Sequence, residues 1–360
     1  MSIRAARTEI ASRLAFGEGV ELLHPGSAEG VAAALAEATG RKRSVLIWGG
    51  GTHQGMGNRV EPDVVIFTDR LNRLIYWEPD DLTVVVEAGA KIDDLELELA
   101  TRGQTAGLLE NAGAGSVGGL LATGVSGYRR ARYGPTRDRV LEVTIVTGDG
   151  RIVRGGGRVV KNVTGYDLPR LVVGSFGSMG MIVSCCLKLW PAPRAVATVT
   201  IGLDQPVDTH RPLAVLEDGT RKMVYLGGTE AEVRDQIARL GGESTDELVW
   251  PSLPETAWAF SLRVTPRRAA GIVAKLPAGV DYIHQVGIGE VAIASSTLDG
   301  IAELRSLAET DGGALVVTRA ADSIFDPWGS PPSTSDLQRQ LIAAFDPARV
   351  INPGRLPGRI

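Results

Sequence analysis

The chain is short of cysteine, of long apolar runs and of net charge, and each shortage excludes something. Cys185 and Cys186 are the only two cysteines in 360 residues and stand side by side in an apparent strand. Adjacent Cα atoms lie ~3.8 Å apart, closer than disulfide geometry prefers, so a cross-linked secreted scaffold is not expected. Buried free cysteine behaves as a small hydrophobe, and the pair reads as core packing. No apolar run approaches the ~20 residues of a membrane span, and MSIRAARTEIASRLAF at the N-terminus lacks the continuous apolar core of a signal peptide. The cytoplasm is the expected location. A formal net charge of -4 offers nucleic acid no general attraction.

What is present is ordinary charge and 44% hydrophobic residues, enough for a large core and for two domains, or one with a substantial insertion. Glu21 to His24 reads as a strand stopped by Pro25-Gly26, with Ser27 capping an alanine-rich helix to Thr39. Ser44 to Trp48 reads as a strand buried on both faces. Val64 to Thr68, Leu74 to Trp77 and Leu82 to Ala88 follow as strands, and Lys91 to Arg102 as a helix with Ile92, Leu95 and Leu99 on one face. Val140 to Thr147 and Arg151 to Arg154 form a hairpin about Gly148-Asp149-Gly150. Strands alternating irregularly with few helices predict an α+β plan rather than a repeating βαβ sheet.

Two glycine-rich stretches carry the chemistry. Trp48 empties into Gly49-Gly50-Gly51-Thr52-His53-Gln54-Gly55-Met56-Gly57, where five glycines in nine residues let successive N–H groups converge on an anion. This loop is not the G-x-G-x-x-G fingerprint, and no acidic residue follows in a regular βαβ unit, so a Rossmann domain is disfavoured. The second stretch runs from Asn111 to Trp190. Its Gly113, Gly115, Gly118 and Gly119 lead into Leu120, Leu121 and Ala122, a loop opening a short helix that suits a diphosphate. Apolar residues interleaved with the glycines argue against a flexible linker.

These residues resemble the FAD-binding domain of the vanillyl-alcohol oxidase and p-cresol methylhydroxylase (PCMH) superfamily, and within it the E subunits of bacterial glycolate oxidases. The resemblance rests on Thr101 to Gly113, Gly127 to Gly150, the KNVTGYDL of Lys161 to Leu168 and the ending Phe345 to Leu356. It implies non-covalent FAD, because Thr52 stands where covalently flavinylated members carry histidine. It also implies that Trp48, Gly49, Gly50, Gly51, Thr52, Met56 and Gly57 wrap the pyrophosphate. Ser116, Gly118, Gly119, Thr123 and Gly127 would hold pyrophosphate and ring; Gly174, Ser175, Gly177, Gly180 and Ile182 would meet the adenosine half; Asn352 and Pro353 would return the chain to the flavin. The implied plan is a two-subdomain FAD-binding domain over 1–194, a smaller α+β cap over 195–335 and a C-terminal segment, 336–360, returning to the first domain.

In the cap, Met223 to Gly227, Ala257 to Val264, Val291 to Ser295 and Ala314 to Thr318 read as strands, and Glu230 to Leu240 and Thr297 to Thr310 as helices. Hydroxy-acid-oxidising relatives carry a cap histidine pair in a motif like HxGDGNxH. Here the four histidines, His24, His53, His210 and His284, are scattered, and no metal site is expected. Arg129, Tyr166 and His284 are the weak catalytic candidates that remain. Arg129, Arg130 and Arg132 suit either a carboxylate, a flavin or a subunit contact, and Lys161 and Asp167 read as support beside the cofactor. Trp328, in the proline-rich loop Asp326 to Ser333, is a candidate partner contact. The resemblance implies an FAD-bearing subunit that joins a D-type flavoprotein and an F-type iron–sulfur subunit to oxidise a small hydroxy acid, in the cytoplasm or peripherally on the inner face of the cell membrane. A self-sufficient flavin dehydrogenase is the alternative.

Overall fold

The structure is a computed structural model that describes residues 19–110, 112–158, 165–320 and 325–360. The N-terminal segment, Asn111 and the Lys161 to Thr164 part of KNVTGYDL lie outside the described residues.

The chain opens with β1 (Glu21–Leu23), α1 (Ala28–Gly40), β2 (Val45–Trp48) and β3 (Val64–Phe67), whose strands form a parallel sheet in the order β1-β3-β2. Ser27 Oγ accepts from Gly30 N at 3.2 Å, and Val31, Leu35 and Ala38 turn the buried stripe of α1 onto this sheet. Fully burying a leucine such as Leu35 contributes about 1.5–3 kcal/mol. The free edge of β2 is taken by the far end of the chain. Val45 N donates to Val350 O and Asn352 N to Val45 O, each at 2.8 Å.

A second layer follows: β4 (Leu74–Glu78), β5 (Thr83–Glu87), α2 (Ile92–Ala100), β6 (Gln104–Thr105), α3 (Val117–Thr123), α4 (Arg130–Tyr133), β7 (Val140–Val146), β8 (Ile152–Gly156), α5 (Leu168–Val172), β9 (Met181–Lys188) and β10 (Trp190–Pro191). Its five-stranded antiparallel sheet has the order β4-β5-β9-β7-β8, and β6 pairs with β10. β9 lies in the middle, which is why its run is apolar almost throughout. Cys185 and Cys186 sit there as buried packing residues, and burial pushes both thiols upward.

The remaining strands build an eight-stranded antiparallel sheet from β11 (Ala195–Ile201), β12 (Ala214–Glu217), β13 (Lys222–Gly228), β14 (Glu243–Thr245), β15 (Trp258–Arg263), β16 (Asp281–Gln285), β17 (Glu290–Ser295) and β18 (Ala314–Arg319). Its helices are α6 (Glu230–Leu240), α7 (Pro266–Val273) and α8 (Ile301–Thr310). The order β14-β11-β13-β12-β16-β17-β15-β18 is two ferredoxin-like halves side by side. The second half runs β15-α7-β16-β17-α8-β18; the first keeps its strand order without the first helix. Phe260, Leu262, Val291 and Ile293 pack under α7 and α8. By strand alternation Ser261, Arg263, Glu290 and Ala292 face the glycine loops.

Several sequence expectations are corrected. The helix expected from Thr297 begins at Ile301, because Gly300 sits before it at φ 71°. β11, β12, β16 and α7 were not foreseen, nor was α9 (Ser335–Phe345) inside the C-terminal segment. Trp328 is no exposed anchor: its indole packs edge-on against Phe176 at 5.0 Å and donates to Arg355 O at 2.9 Å.

Candidate cofactor site

The two glycine stretches meet at Ser116. Its Oγ caps α3, accepting from Gly119 N, and reaches across to accept from Gly50 N, each at 3.3 Å. Glycine is required there by closeness. A Cβ at Gly49 would overlap Ser116 Oγ, one at Gly50 the Ala114 carbonyl, and one at Gly118 would lie 2.6 Å from Ala88 Cβ. Positive φ in the first loop is confined to Gly51 and Gly57, at 80° and 78°, so Gly50 and Gly118 serve close approach rather than backbone freedom.

The loops frame an open cleft. Of the residues expected at a cofactor, Gly49, Gly50, Gly51, Thr52, Ser116, Gly118, Gly119, Thr123, Gly177, Ile182 and Asn352 line it. Trp48 supports it from behind, its indole lying where a Gly51 Cβ would come within 3.0 Å. Gly57 packs on Trp328 and on the Arg355 carbonyl, and Gly180 turns the chain into β9; neither lines the cleft. Met56 and Gly127 instead line a neighbouring cavity beneath the eight-stranded sheet, and Gly174 and Ser175 line a third cavity that shares Thr123 and Phe176 with the cleft.

Asn352 is the clasp of this site. Its Oδ1 accepts from Ile47 N at 3.1 Å and its Nδ2 donates to Phe176 O at 2.7 Å, so one side chain ties together β2, the segment before β9 and the chain's end. Its φ of 45° is one that asparagine tolerates better than most residues. Sequence reasoning missed Gln54, Thr68, Phe176 and Arg355, all in the cleft wall. His53 also lines it, Nδ1 lying 3.0 Å from Thr52 Oγ1, and burial holds its pKa below the usual value.

Under the sheet, Glu290 is held by Arg130 at 2.6 Å, with Arg263 at 3.6 Å and Ser261 Oγ at 3.3 Å. Gln285 and Tyr128 share that cavity, and burial, with Glu110 and Glu290 nearby, pushes the Tyr128 phenol up to about 12. The three arginines foreseen as one cluster are therefore split. Arg129 is locked onto buried Glu110, whose carboxylate also accepts from Tyr128 N and Arg129 N. Gly127 allows this approach, since a Cβ there would overlap Glu110.

Two of the catalytic candidates are not among the residues lining the cleft. Tyr166 is 95% exposed at the surface. His284 faces α7 and α8, on the side of the sheet turned away from the cleft, with Nδ1 2.7 Å from Glu217. Alternation gives the cavity under the sheet Gln285 instead. Among the described residues no group of three or more His, Cys, Asp or Glu side chains converges as a metal site.

Residues 21–156 match the FAD binding domain family. A D-lactate dehydrogenase of Archaeoglobus fulgidus is 31% identical over 412 aligned residues, covering 94% of this chain and 91% of the relative. The chain belongs to the PCMH-type FAD-binding oxidoreductase family. The glycolate oxidase subunit GlcE of Escherichia coli is 28% identical over 309 residues, covering 79% of this chain and 84% of that subunit. In fold, this PCMH-type chain resembles alkyldihydroxyacetonephosphate synthase, with a TM-score of 0.67 at 15% identity over 92% of this chain and 75% of the other. Its cofactor is FAD. The cradle fits that group: two glycine walls with no room for a Cβ at Gly49, Gly50 or Gly118 enclose a cleft that shares Gly49 and Thr68 with one further cavity and Thr123 and Phe176 with another.

Proposed function

We propose that the chain is the FAD-bearing subunit of a glycolate-oxidase-type complex, working with a D-type flavoprotein and an F-type iron–sulfur subunit on a small 2-hydroxy acid. FAD supplies a two-electron acceptor as the hydroxy acid becomes the 2-oxo acid. Gly49 to Thr52 and Gly57, backed by Trp48, hold the diphosphate in this reading. Ser116, Gly118, Gly119, Thr123, Gly127 and Met56 serve the diphosphate and ring. Gly174, Gly177, Gly180 and Ile182 serve the adenosine half, and Asn352 fastens the wall. Thr52, with no imidazole at its position, leaves the FAD non-covalent. The organisation proposed is an FAD-binding domain over 1–194, a cap over 195–335 and a returning segment over 336–360.

One observation carries the subunit reading. The sheet face turned toward the glycine loops presents Glu290 paired with Arg130 and Arg263, with Gln285 beside it; among the described residues no histidine lines that cavity, and His53 lies in the cofactor cleft instead. A hydroxy acid releases its hydride readily only as its hydroxyl proton leaves, and the Glu290 oxygens are already occupied by Arg130, Arg263 and Ser261 rather than open to a substrate hydroxyl. Similarity to the glycolate oxidase subunits GlcE and GlcD supports the same reading, the GlcD of Bacillus subtilis being 31% identical over 39% of this chain. No helix among the described residues is long and apolar enough to cross a membrane, and we place the complex in the cytoplasm or on the inner face of the cell membrane through its partners. Co-expression with D-type and F-type subunits tests this: one co-eluting assembly that oxidises glycolate supports it, and a chain that elutes alone while the others are active contradicts it. The D-lactate dehydrogenase match across nearly the whole chain favours the second reading, a self-sufficient dehydrogenase.

A further inference from the structure

Arg355 is the only arginine or lysine among the residues lining the cofactor cleft, and it is 6% exposed. Its guanidinium has no carboxylate within ion-pair distance among the described residues. It donates only to neutral acceptors on the first glycine loop: Gln54 Oε1 at 3.0 Å, Gln54 O at 2.9 Å and His53 O at 3.5 Å. Its own carbonyl is pinned by Asn58 N at 3.0 Å and Trp328 Nε1 at 2.9 Å, so the side chain is presented from a fixed backbone. Burial alone lowers its pKa to about 10, leaving it protonated at neutral pH. The other deeply buried arginine, Arg139, is also lowered by burial, but Glu110 and Glu96 act to raise it; nothing does so for Arg355. A buried cation without a counter-charge is costly to a fold, and its neighbourhood here is a cleft built for a diphosphate.

We propose that Arg355 is the counter-charge for the FAD diphosphate, held in the cleft wall by Gln54 and neutralised by the cofactor rather than by any protein carboxylate. FAD then completes the electrostatics of the wall that the C-terminal segment contributes, and the apo chain carries an unpaired buried charge.

The test compares the wild-type chain with Arg355→Met and Arg355→Lys, each stripped of FAD, by titration with FAD and by the melting temperature of the apo form. Arg355→Met should bind FAD roughly ten- to a hundredfold more weakly, as expected for loss of a charge-assisted hydrogen-bond pair, while its apo form melts at or above wild type because the unpaired charge is gone. Arg355→Lys should fall between. ADP, which keeps the diphosphate, should lose affinity by a similar factor. An Arg355→Met chain that binds FAD as wild type does, or whose apo form unfolds, overturns the proposal and leaves Arg355 a structural brace for the 53–54 loop. A wild-type chain that binds no FAD overturns it together with the cofactor reading of the cleft.

Discussion

Arg130 and Glu290 are 160 residues apart in sequence, yet guanidinium and carboxylate meet at 2.6 Å and fasten α4 to the inner face of the eight-stranded sheet. Side-chain exposures of 26% and 11% place the pair inside the joint between the two layers, where solvent screens it weakly. Glu290→Gln should lower stability by about 1–3 kcal/mol, since Arg130 and Arg263 then share no anion. A double-mutant cycle with Arg130→Gln checks it. Additive losses, with no coupling energy, would show that the two residues do not hold the layers together.

The glycine loops are legible in the sequence because close backbone approach demands glycine and leaves a compositional mark. Gly49, Gly50 and Gly118 are such positions, and the Ser116 cap follows from its place before an apolar helix. Arg355 leaves no mark: one arginine after Asn-Pro-Gly looks like any surface cation until the fold shows that no carboxylate among the described residues reaches it. His284 misleads because Asp281–Gln285 alternates Tyr282 and His284 with Ile283 and Gln285, so either face could be the covered one. Packing of α7 and α8 decides it, and that is tertiary information. Trp328 misleads for a similar reason, since its proline-rich surroundings signal a surface loop while Phe176 and the Arg355 carbonyl draw it inward.

Gly118→Val should abolish FAD binding and weaken the fold, because a branched Cβ would be driven into Ala88 beneath α3. Overpacking of this kind costs typically about 1–3 kcal/mol. Gly113→Ala, with nothing within 4 Å of an added Cβ, is the control and should keep its flavin despite a φ of 54°. Flavin content per chain after purification measures both. Retention of full flavin by the Gly118 variant would mean that the α3 wall is not part of the cleft.

Burial lowers the His53 pKa, so the folded apo chain resists protonation that the unfolded chain accepts below about 6.5. The unfolded state therefore binds more protons in that range, and apo stability should fall as pH drops through it. His53→Gln removes this contribution. Melting temperatures of both apo chains between pH 8 and pH 5 should converge at high pH and separate at low pH with the variant ahead, and parallel curves would contradict the assignment.

Anaerobic mixing of the purified, FAD-loaded single chain with glycolate or D-lactate separates a partner-dependent subunit from a self-sufficient dehydrogenase. With Glu290 occupied by two arginines, Tyr166 exposed at the surface and His284 on the far face of the sheet, little or no loss of the flavin's visible absorbance is expected until the partner subunits are added. Rapid and complete bleaching by the single chain would contradict the partner-dependent reading and establish a self-sufficient dehydrogenase.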